Sequence, residues 1–266
     1  MFTPTVLSIA GFDPYGGAGI LADTKTVHAL GGYAFSSVTA ITAQNSQGVK
    51  ATRPVSAESL KMQLETLLED VKVDAVKIGM LSDASIIETV AEIVKRYRLR
   101  NVVLDPVILS SSGMPLLEPE AVEMMVVKLF PLCRLITPNL PETNRILGRK
   151  YRGDAKDITM MAEEMFAIGA RNILFKGGHA PYEEAVDCLV ERSGRTRFRT
   201  DRVETTHTHG TGCVLSSAIA VQLAKGDTLS SAVKTAKHFL YEKLRDADFL
   251  QFDYREKSKE RTEAIF

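Results

Sequence analysis

Cysteine is scarce in this sequence, and the few cysteines are scattered. Three of them, Cys133, Cys188 and Cys213, occur among 266 residues. None belongs to a CxxC pair, and no group of cysteine and histidine has the spacing of a metal site. The sequence therefore predicts neither a disulfide framework nor a structural zinc site, and the thiols are expected to stay reduced in the cytoplasm.

Net charge, a long apolar run and a leader segment are missing as well. Lys plus Arg and Asp plus Glu number 33 each, so no overall field attracts nucleic acid or an anionic membrane. No apolar run approaches the ~20 residues of a membrane-spanning helix, and the opening MFTPTVLSIAGFDP lacks the basic region of a signal peptide. These absences predict a cytoplasmic protein with a small-molecule partner, and neither a nucleic-acid nor a membrane partner.

Short strand-like segments alternate with helical periodicity along the chain. Predicted strands lie at 5–10, 34–43, 74–80, 101–107 and 172–175, a strand and a helix start lie within 135–143, and an exposed antiparallel hairpin is predicted at 186–191 and 196–201. Predicted helices lie at 19–30, 57–69, 86–97, 211–223 and 229–244. This alternation predicts an α/β fold with a mostly parallel central sheet and helices on both faces. Since composition shows no break, one domain is expected over 1–266, with a charged tail at about 250–266.

The carboxyl ends of the predicted strands carry polar and glycine-rich segments, and ligands of such folds bind at that edge of the sheet. The segments expected to meet there contain Asp13 with Gly16–Gly19, Gln44, Met80, Asp105, Asn139 with Glu142, and Lys176–Gly178. Their recurrence predicts a ligand site at this edge.

The glycine-rich segment GFDPYGGAGI (11–20) follows a strand and precedes a helix. Its spacing does not match the dinucleotide pattern G-x-G-x-x-G, and the chain contains no G-x-x-x-x-G-K-[ST] phosphate loop. Two interpretations stay open from the residues alone: a loop that contacts a ligand, or a tight connection that needs glycine for its backbone angles.

Two other segments at the same edge suggest phosphate and metal chemistry. In TPNLPE (137–142), Asn139 is suited to cap a helix, and Glu142 either belongs to a plain helix start or positions Mg²⁺ through water. In KGGH (176–179), Lys176 ends a strand and either contacts a phosphate or extends to solvent.

The segment HGTGC (209–213) precedes an apolar helix. Its glycines allow close approach of a ligand, and free amides at a helix N-terminus favour anions. Cys213 falls in the first turn, where a thiol pKa is lowered from about 8.5 to ~3.5–7.5. A thiolate there would accept a proton from a hydroxyl during phosphoryl transfer. The alternative is a packed helix start with an inert cysteine.

Seven segments together resemble a known family: SIAGFDPYGGAGILADTKT, TAITAQNSQGV, VKIGML, VVLDPV, ITPNLPE, KGGH and HGTGC. In this order they resemble the bacterial hydroxymethylpyrimidine/phosphomethylpyrimidine kinases of thiamine biosynthesis, within the ribokinase-like superfamily. The resemblance spans roughly residues 5 to 245. It implies a ribokinase-like three-layer sandwich, ATP and Mg²⁺ as cofactors, and a homodimer. It also implies ATP-dependent phosphorylation of 4-amino-5-hydroxymethyl-2-methylpyrimidine to its monophosphate and then to the diphosphate.

The resemblance also implies site residues. The implied catalytic residues are Cys213, Gly210, Thr211 and Gly212. The implied substrate-binding residues are Gln44, Asp23, Gly11, Ala18, Met80 and Val107. The implied nucleotide-binding residues are Asn139, Lys176, Gly178, Thr211 and Gly212, and the implied metal ligands are Glu142 and Asp105.

Two alternative functions compete with this one. The first is a pyridoxal/pyridoxine kinase, which Gln44 disfavours because a carboxamide matches the ring nitrogen and amino group of an aminopyrimidine, a pair that pyridoxal lacks. The second is a catalytically silent ligand-binding protein, which has no need to retain Cys213, Lys176 and Glu142 together. The sequence departs from the family pattern at His207, where asparagine is usual, and within 110–113, where a lysine is common.

Overall fold

The computed structural model describes residues 2–110, 113–177, 184–247 and 252–254. Within these ranges the strands are β1 (Thr5–Phe12), β2 (Tyr33–Asn45), β3 (Gly48–Pro54), β4 (Ala75–Ile78), β5 (Val102–Leu104), β6 (Leu135–Ile136), β7 (Ile173–Phe175), β8 (Glu184–Glu191) and β9 (Gly194–Asp201). The helices are α1 (Gly19–Ala29), α2 (Ala57–Asp70), α3 (Ala84–Arg96), α4 (Pro119–Lys128), α5 (Leu140–Leu147), α6 (Ala155–Ala167), α7 (Thr211–Ala224) and α8 (Leu229–Arg245), with a short 3-10 helix at Phe130–Leu132.

All these strands belong to one sheet, in the order β3-β2-β1-β4-β5-β6-β7-β8-β9. Strands β2, β1, β4, β5, β6 and β7 are parallel to their neighbours within this series, whereas β3 at one edge and β8 and β9 at the other are antiparallel. The strand order reverses at β1: the chain first adds β2 on one side of β1 and later adds β4 on its other side, and both pairings are parallel. A crevice forms at the carboxyl ends of strands at such a reversal.

Helices cover both faces of the sheet, because the strands alternate their apolar side chains with a period of two. On β1, Leu7 and Ile9 pack with α2, α3, α4 and α6 in one apolar cluster. Val6 of the same strand packs on the opposite face with α1, α7 and α8. This arrangement confirms the predicted α/β fold with a mostly parallel sheet between two helical layers.

The predicted strands, helices and hairpin are all present, although residues 187–190 of the hairpin, predicted as exposed, are buried in β8. Four elements lack a prediction: β3, α4, α6 and the 3-10 helix. Strand β3 has the sequence GVKATRP and lies largely exposed at the sheet edge, so it has no apolar alternation to detect. Helix α4 begins at Pro119, and α6 begins after Asp154, whose carboxylate accepts hydrogen bonds from the amides of Lys156 and Asp157. Neither helix follows directly on a strand signal in the sequence.

The predicted charged tail lies mostly outside the described residues, and its described part, 252–254, contacts the rest of the fold. Phe252 is buried, and the Tyr254 ring has the ammonium groups of Lys25 and Lys243 at 6.0 and 5.6 Å from its centroid. Residues 252–254 therefore pack against α1 and α8. Among the described helices, none combines the length and the apolar character needed to cross a membrane.

Candidate active site

A cavity of about 510 Å³ opens at the carboxyl ends of the parallel strands. The predicted site residues that line it are Gly11, Ala18, Gln44, Met80, Asp105, Val107, Asn139, Glu142, Lys176, Gly210, Thr211, Gly212 and Cys213. Gly178 lies outside the described residues. The structure thus brings together residues that are up to about 200 positions apart in the sequence, as expected for strand ends that meet at one edge.

Two glycine loops pack against each other at this edge, backbone to backbone. A Cβ on Gly210 would lie 1.8 Å from the carbonyl oxygen of Gly17, and Gly210 has a φ of 78°. A Cβ on Gly19 would lie 2.1 Å from the carbonyl oxygen of Gly11. The segment 11–20 is therefore a tight connection, and Gly11, Ala18 and Gly19 of this segment also line the cavity. Contact with a ligand stays a prediction.

Helix α7 begins at the cavity with Thr211, Gly212 and Cys213. Its N-cap is Gly210, which supplies no side-chain oxygen. The first-turn amides of a helix have no acceptor within the helix, so an anion is well placed to accept hydrogen bonds from them. The remainder of α7 is almost entirely buried between α1, α8 and the sheet, which fixes this helix start in place.

The Cys213 thiol lines the cavity, but its pKa differs from the prediction. Burial raises the pKa of Cys213 to about 11, although the ammonium of Lys77 and a hydrogen bond from the amide of Gly19 act in the opposite direction. The predicted lowering is therefore wrong, because loss of hydration of the thiolate outweighs the effects that favour it. At neutral pH the protonated thiol is the major form.

A lysine and two carboxylates form a second group in the cavity. Lys176 Nζ is 2.6 Å from Asp105 Oδ1 and 3.7 Å from Glu142 Oε2. Burial by itself would lower the pKa of Lys176, but the two carboxylates raise it above its ordinary value. A Cβ on Gly212 would lie 3.0 Å from Asp105 Oδ2 and 3.3 Å from Lys176 Nζ. The lysine is therefore charged and adjoins the start of α7.

Asn139 and Glu142 form a reciprocal cap on α5. The Asn139 side chain accepts the amide hydrogen of Glu142 at 2.8 Å, and Glu142 Oε2 accepts the amide hydrogen of Asn139 at 2.8 Å. The plain helix start considered for this segment is therefore real, and it holds both residues at the cavity wall. Burial raises the pKa of Glu142, while Lys176 opposes that effect.

The donor set suits a magnesium ion that also contacts phosphate. Within the described residues no cluster of three or more Asp, Glu, His or Cys could hold a metal. Asp105 and Glu142 nevertheless flank Lys176 in the cavity, and Mg²⁺ is commonly bound by one or two carboxylates with phosphate oxygens and waters as its other ligands. These two carboxylates fit that pattern.

Asp23 is a predicted substrate-binding residue that the structure does not bring to the cavity. Its side chain is fully buried and accepts hydrogen bonds from Ser8 Oγ at 2.6 Å, Lys77 Nζ at 2.8 Å and Ser217 Oγ at 2.7 Å. The physical reason lies in β4, whose Lys77 is wholly enclosed and requires a carboxylate partner. Asp23 thus pairs with Lys77 beneath the site.

His209 and Asp187 have structural contacts that sequence reasoning missed. His209 contacts both Gln44 and Asp13, although it belongs to the HGTGC segment. Asp187 of β8 accepts the amide hydrogen of Gly177 at 2.8 Å and pairs with Lys237 of α8, so it holds the loop after β7. From the sequence, Asp13 is predicted only to lie at the end of a strand. A buried carboxylate needs partners, but the sequence does not reveal which residues supply them.

Comparison with known proteins identifies the group to which this chain is related. A family model described as phosphomethylpyrimidine kinase matches residues 13–255. A hydroxymethylpyrimidine/phosphomethylpyrimidine kinase of Rhizobium meliloti is 45% identical over 249 residues, which cover 94% of this chain and 93% of the relative.

Solved structures agree with this relation and with the ribokinase-like fold. A phosphomethylpyrimidine kinase from Clostridium difficile superposes with a TM-score of 0.80 at 41% identity, over 90% of this chain and 99% of the other. A pyridoxal kinase from Staphylococcus aureus, in complex with AMP-PCP and pyridoxal, superposes with a TM-score of 0.87 at 29% identity, over 96% and 94% of the two chains. Because the family model matches residues 13–255 and the Rhizobium meliloti relative is 45% identical, the chain belongs to the phosphomethylpyrimidine kinase family.

Proposed function

We propose that the protein phosphorylates 4-amino-5-hydroxymethyl-2-methylpyrimidine with ATP, and then phosphorylates the monophosphate to the diphosphate, as a step of thiamine biosynthesis. The supporting observation is that Gln44, Cys213, the first turn of α7 and Lys176 line one cavity. A group for recognising the acceptor, a proton acceptor and an anion site are therefore within reach of one substrate pair. The family model that matches this chain and the name of the Rhizobium meliloti relative support this acceptor.

The acceptor end of the cavity has apolar walls and one carboxamide. Gly11, Ala18, Met80 and Val107 line it together with Gln44. A carboxamide offers a donor beside an acceptor, which matches a ring nitrogen beside an amino group and is worth about 1–3 kcal/mol of discrimination. The hydroxymethyl group of a ring held this way would extend toward Cys213.

In the proposed transfer step, the acceptor hydroxyl oxygen attacks the γ-phosphorus of ATP. A new P–O bond forms as the bond between the γ-phosphorus and its bridging oxygen breaks, and ADP leaves. The hydroxyl proton passes to the sulfur of Cys213, so the thiolate is the active form of this residue. Amides of Thr211 and Gly212 and the ammonium of Lys176 stabilise the charge on the transferred group.

The nucleotide end of the cavity contains Asn139, Lys176 and Glu142. Lys176 is proposed to contact phosphate, and Glu142 and Asp105 are proposed to hold Mg²⁺, Glu142 through water. Bound there, the metal ion neutralises phosphate charge. AMP-PCP in the related pyridoxal kinase supports ATP as the phosphoryl donor.

The cellular location and the assembly are also proposals. A cytoplasmic location suits a Cys213 that must remain a reduced thiol in order to accept a proton. A homodimer is proposed from family resemblance, and light scattering of the purified protein measures it directly. A monomeric mass at working concentration would contradict the dimer.

The decisive test offers the hydroxymethylpyrimidine, its monophosphate and pyridoxal in parallel, each with ATP and Mg²⁺, and measures ADP release and the phosphorylated product. We expect the highest kcat/KM with the pyrimidine alcohol, and measurable turnover of the monophosphate. The likeness to a pyridoxal kinase structure makes pyridoxal the second candidate. A higher kcat/KM for pyridoxal than for the pyrimidine would overturn the proposed function.

A further inference from the structure

Three side chains from three separate segments of the chain, one strand end and two loops, meet at one end of the cavity. Gln44 lies near the end of β2, Asp13 follows β1, and His209 directly precedes the N-cap of α7. The Gln44 amide nitrogen Nε2 is 2.8 Å from His209 Nε2, and the same ring nitrogen is 3.0 Å from Asp13 Oδ2. The imidazole and the carboxylate are largely buried, at 12% and 3% exposure, so water competes little for these contacts.

Asp13 is an anchored acceptor. Its Oδ1 accepts the amide hydrogen of Tyr15 at 2.9 Å, and its Oδ2 accepts those of Gly17 at 3.1 Å and Ala18 at 2.9 Å. Burial alone would raise the pKa of Asp13, but the hydrogen bonds from His209, Ala18 and Tyr15 outweigh it and hold the pKa below its ordinary value. Asp13 is therefore an ionised carboxylate that accepts hydrogen bonds and donates none.

This anchor determines which nitrogen of His209 carries hydrogen. A ring nitrogen 3.0 Å from an ionised carboxylate oxygen must donate to it, so Nε2 carries the hydrogen. A protonated Nε2 cannot accept a hydrogen bond from the amide group of Gln44. Since the oxygen and nitrogen of a carboxamide have nearly the same shape, a half-turn of the Gln44 amide removes this conflict.

The half-turn also satisfies the other side of the amide. Thr42 Oγ1 lies 3.2 Å from Gln44 Oε1 and 2.9 Å from the carbonyl oxygen of Phe12. The hydroxyl has a single hydrogen, and it donates this hydrogen to the closer oxygen, that of Phe12. Thr42 therefore has a lone pair to offer and no second hydrogen. With an amide NH₂ on the Thr42 side and an amide oxygen on the His209 side, each contact joins a donor to an acceptor, and the single hydrogen on His209 Nε2 is shared between Asp13 Oδ2 and the Gln44 oxygen.

We propose that His209, held by Asp13, is a positioning residue that orients the Gln44 carboxamide with its oxygen toward His209 and its NH₂ toward Thr42. One amide hydrogen and one oxygen lone pair then remain for a ring that carries an acceptor nitrogen beside an amino group. This inference rests on the proposed function for the identity of the ring. It assigns the selectivity for an aminopyrimidine to three residues rather than to Gln44 alone.

The test compares substitutions of His209 that differ in reach. In His209→Gln the side-chain amide nitrogen reaches the position of Nε2, whereas in His209→Asn it reaches only that of Nδ1. His209→Leu removes the donor. For the Asn and Leu variants we expect kcat/KM for the hydroxymethylpyrimidine to fall ten- to a hundred-fold, mainly through KM, while KM for ATP changes little. His209→Gln should recover most of that loss.

A double-mutant cycle separates positioning from a general structural effect. If His209 acts through Gln44, then His209→Leu in a Gln44→Leu protein causes little further loss of kcat/KM for the pyrimidine. Additive losses, or equal loss in the Gln and Asn variants, overturn the proposal. Thermal unfolding of each variant shows which proteins are folded, and the Gln/Asn pair serves if the leucine variant is not.

The same kinetics distinguish failure of this inference from failure of the proposed function. Absence of pyrimidine turnover in the unchanged protein overturns the proposed function. In that case the cycle is run with the acceptor that is turned over, and coupling between His209 and Gln44 can still be measured. If the pyrimidine is turned over but the two residues act additively, only the positioning role is lost.

Discussion

Two lysine–aspartate pairs lie near Cys213, and they differ in where the lysine stands on its strand. Lys77 lies within β4, 2.8 Å from Asp23, and both side chains have 0% exposure. Lys176 comes directly after β7, 2.6 Å from Asp105, with exposures of 13% and 2%. The same chemical pair is sealed beneath the sheet edge in one case and borders the cavity in the other.

The surroundings of each pair explain what it can do. The Asp23 carboxylate is saturated by Lys77, Ser8 and Ser217, so a ligand has no place in it. Lys176 is shared between Asp105 and Glu142 at the cavity wall, which is compatible with its proposed contact to phosphate and with the proposed metal ligands. A buried lysine near a site is therefore not by itself a ligand group, since access to the cavity decides its role.

The largest expected effect comes from removing the Cys213 sulfur, which lines the same cavity as Lys176 and Asp105. We expect Cys213→Ala to lower kcat by about 10²–10⁴ because the proton acceptor is lost. ATP binding, measured by calorimetry, should be unchanged. Turnover close to that of the unchanged protein would remove Cys213 from the mechanism.

Breaking the buried Lys77–Asp23 pair should lower the free energy of unfolding. Lys77→Met leaves the Asp23 carboxylate buried without its cation, which is expected to cost about 3–5 kcal/mol in the free energy of unfolding. Urea denaturation measures this loss. The matched control is Lys77→Met with Asp23→Leu, which should recover much of it because no charge is then buried alone. A stable Lys77→Met protein that merely loses turnover would contradict the comparison.

Breaking the Lys176–Asp105 pair at the cavity wall should lower kcat. Lys176→Met is expected to lower kcat by about 10²–10³, as loss of one preorganised donor does. Its effect on urea denaturation should be much smaller than that of Lys77→Met, because Asp105 and Glu142 line the cavity, whereas the Asp23 side chain has 0% exposure. If the two methionine variants lose equal stability, the distinction between the pairs is wrong.

A further prediction concerns the pH dependence of kcat. Because burial raises the pKa of Cys213 to about 11, the thiolate fraction grows as pH rises from 7 toward that value. We expect kcat to rise in parallel, and alkylation of Cys213 by iodoacetamide to follow the same curve. In Lys77→Met both curves should move to higher pH, since the ammonium favours the thiolate. Curves that stay in place would show that Lys77 does not act on the thiol.

Local patterns were sufficient to predict most elements and the edge where the site lies. Periodicity locates β1, α3 and α7 to within about two residues, because each buries one face or both. The same reasoning applied to α1 would have placed Asp23 correctly. Asp23, Thr26 and Val27 share the buried stripe of that helix, so Asp23 faces the interior. A lysine inside the apolar strand AVKI was the matching signal.

Contacts between distant loops are beyond such patterns. His209 is 196 positions from Asp13 and 165 from Gln44, and no spacing in the sequence links them. The Cys213 pKa also depends on enclosure by α1, β4 and the loop after β5, which only the folded chain provides. Helix position alone gave the wrong direction, because burial of the thiolate has the larger effect.

The close fit of Gly210 against Gly17 has a consequence for how the binding of one substrate affects the binding of the other. With no room for even one carbon atom between these loops, neither can shift without displacing the other, and the bond from His209 to Asp13 ties them a second time. A nucleotide that restricts the motion of the loop before α7 should therefore also restrict the segment 11–20, where the acceptor is proposed to bind. The two substrates should bind synergistically, each tightening the dissociation constant of its companion.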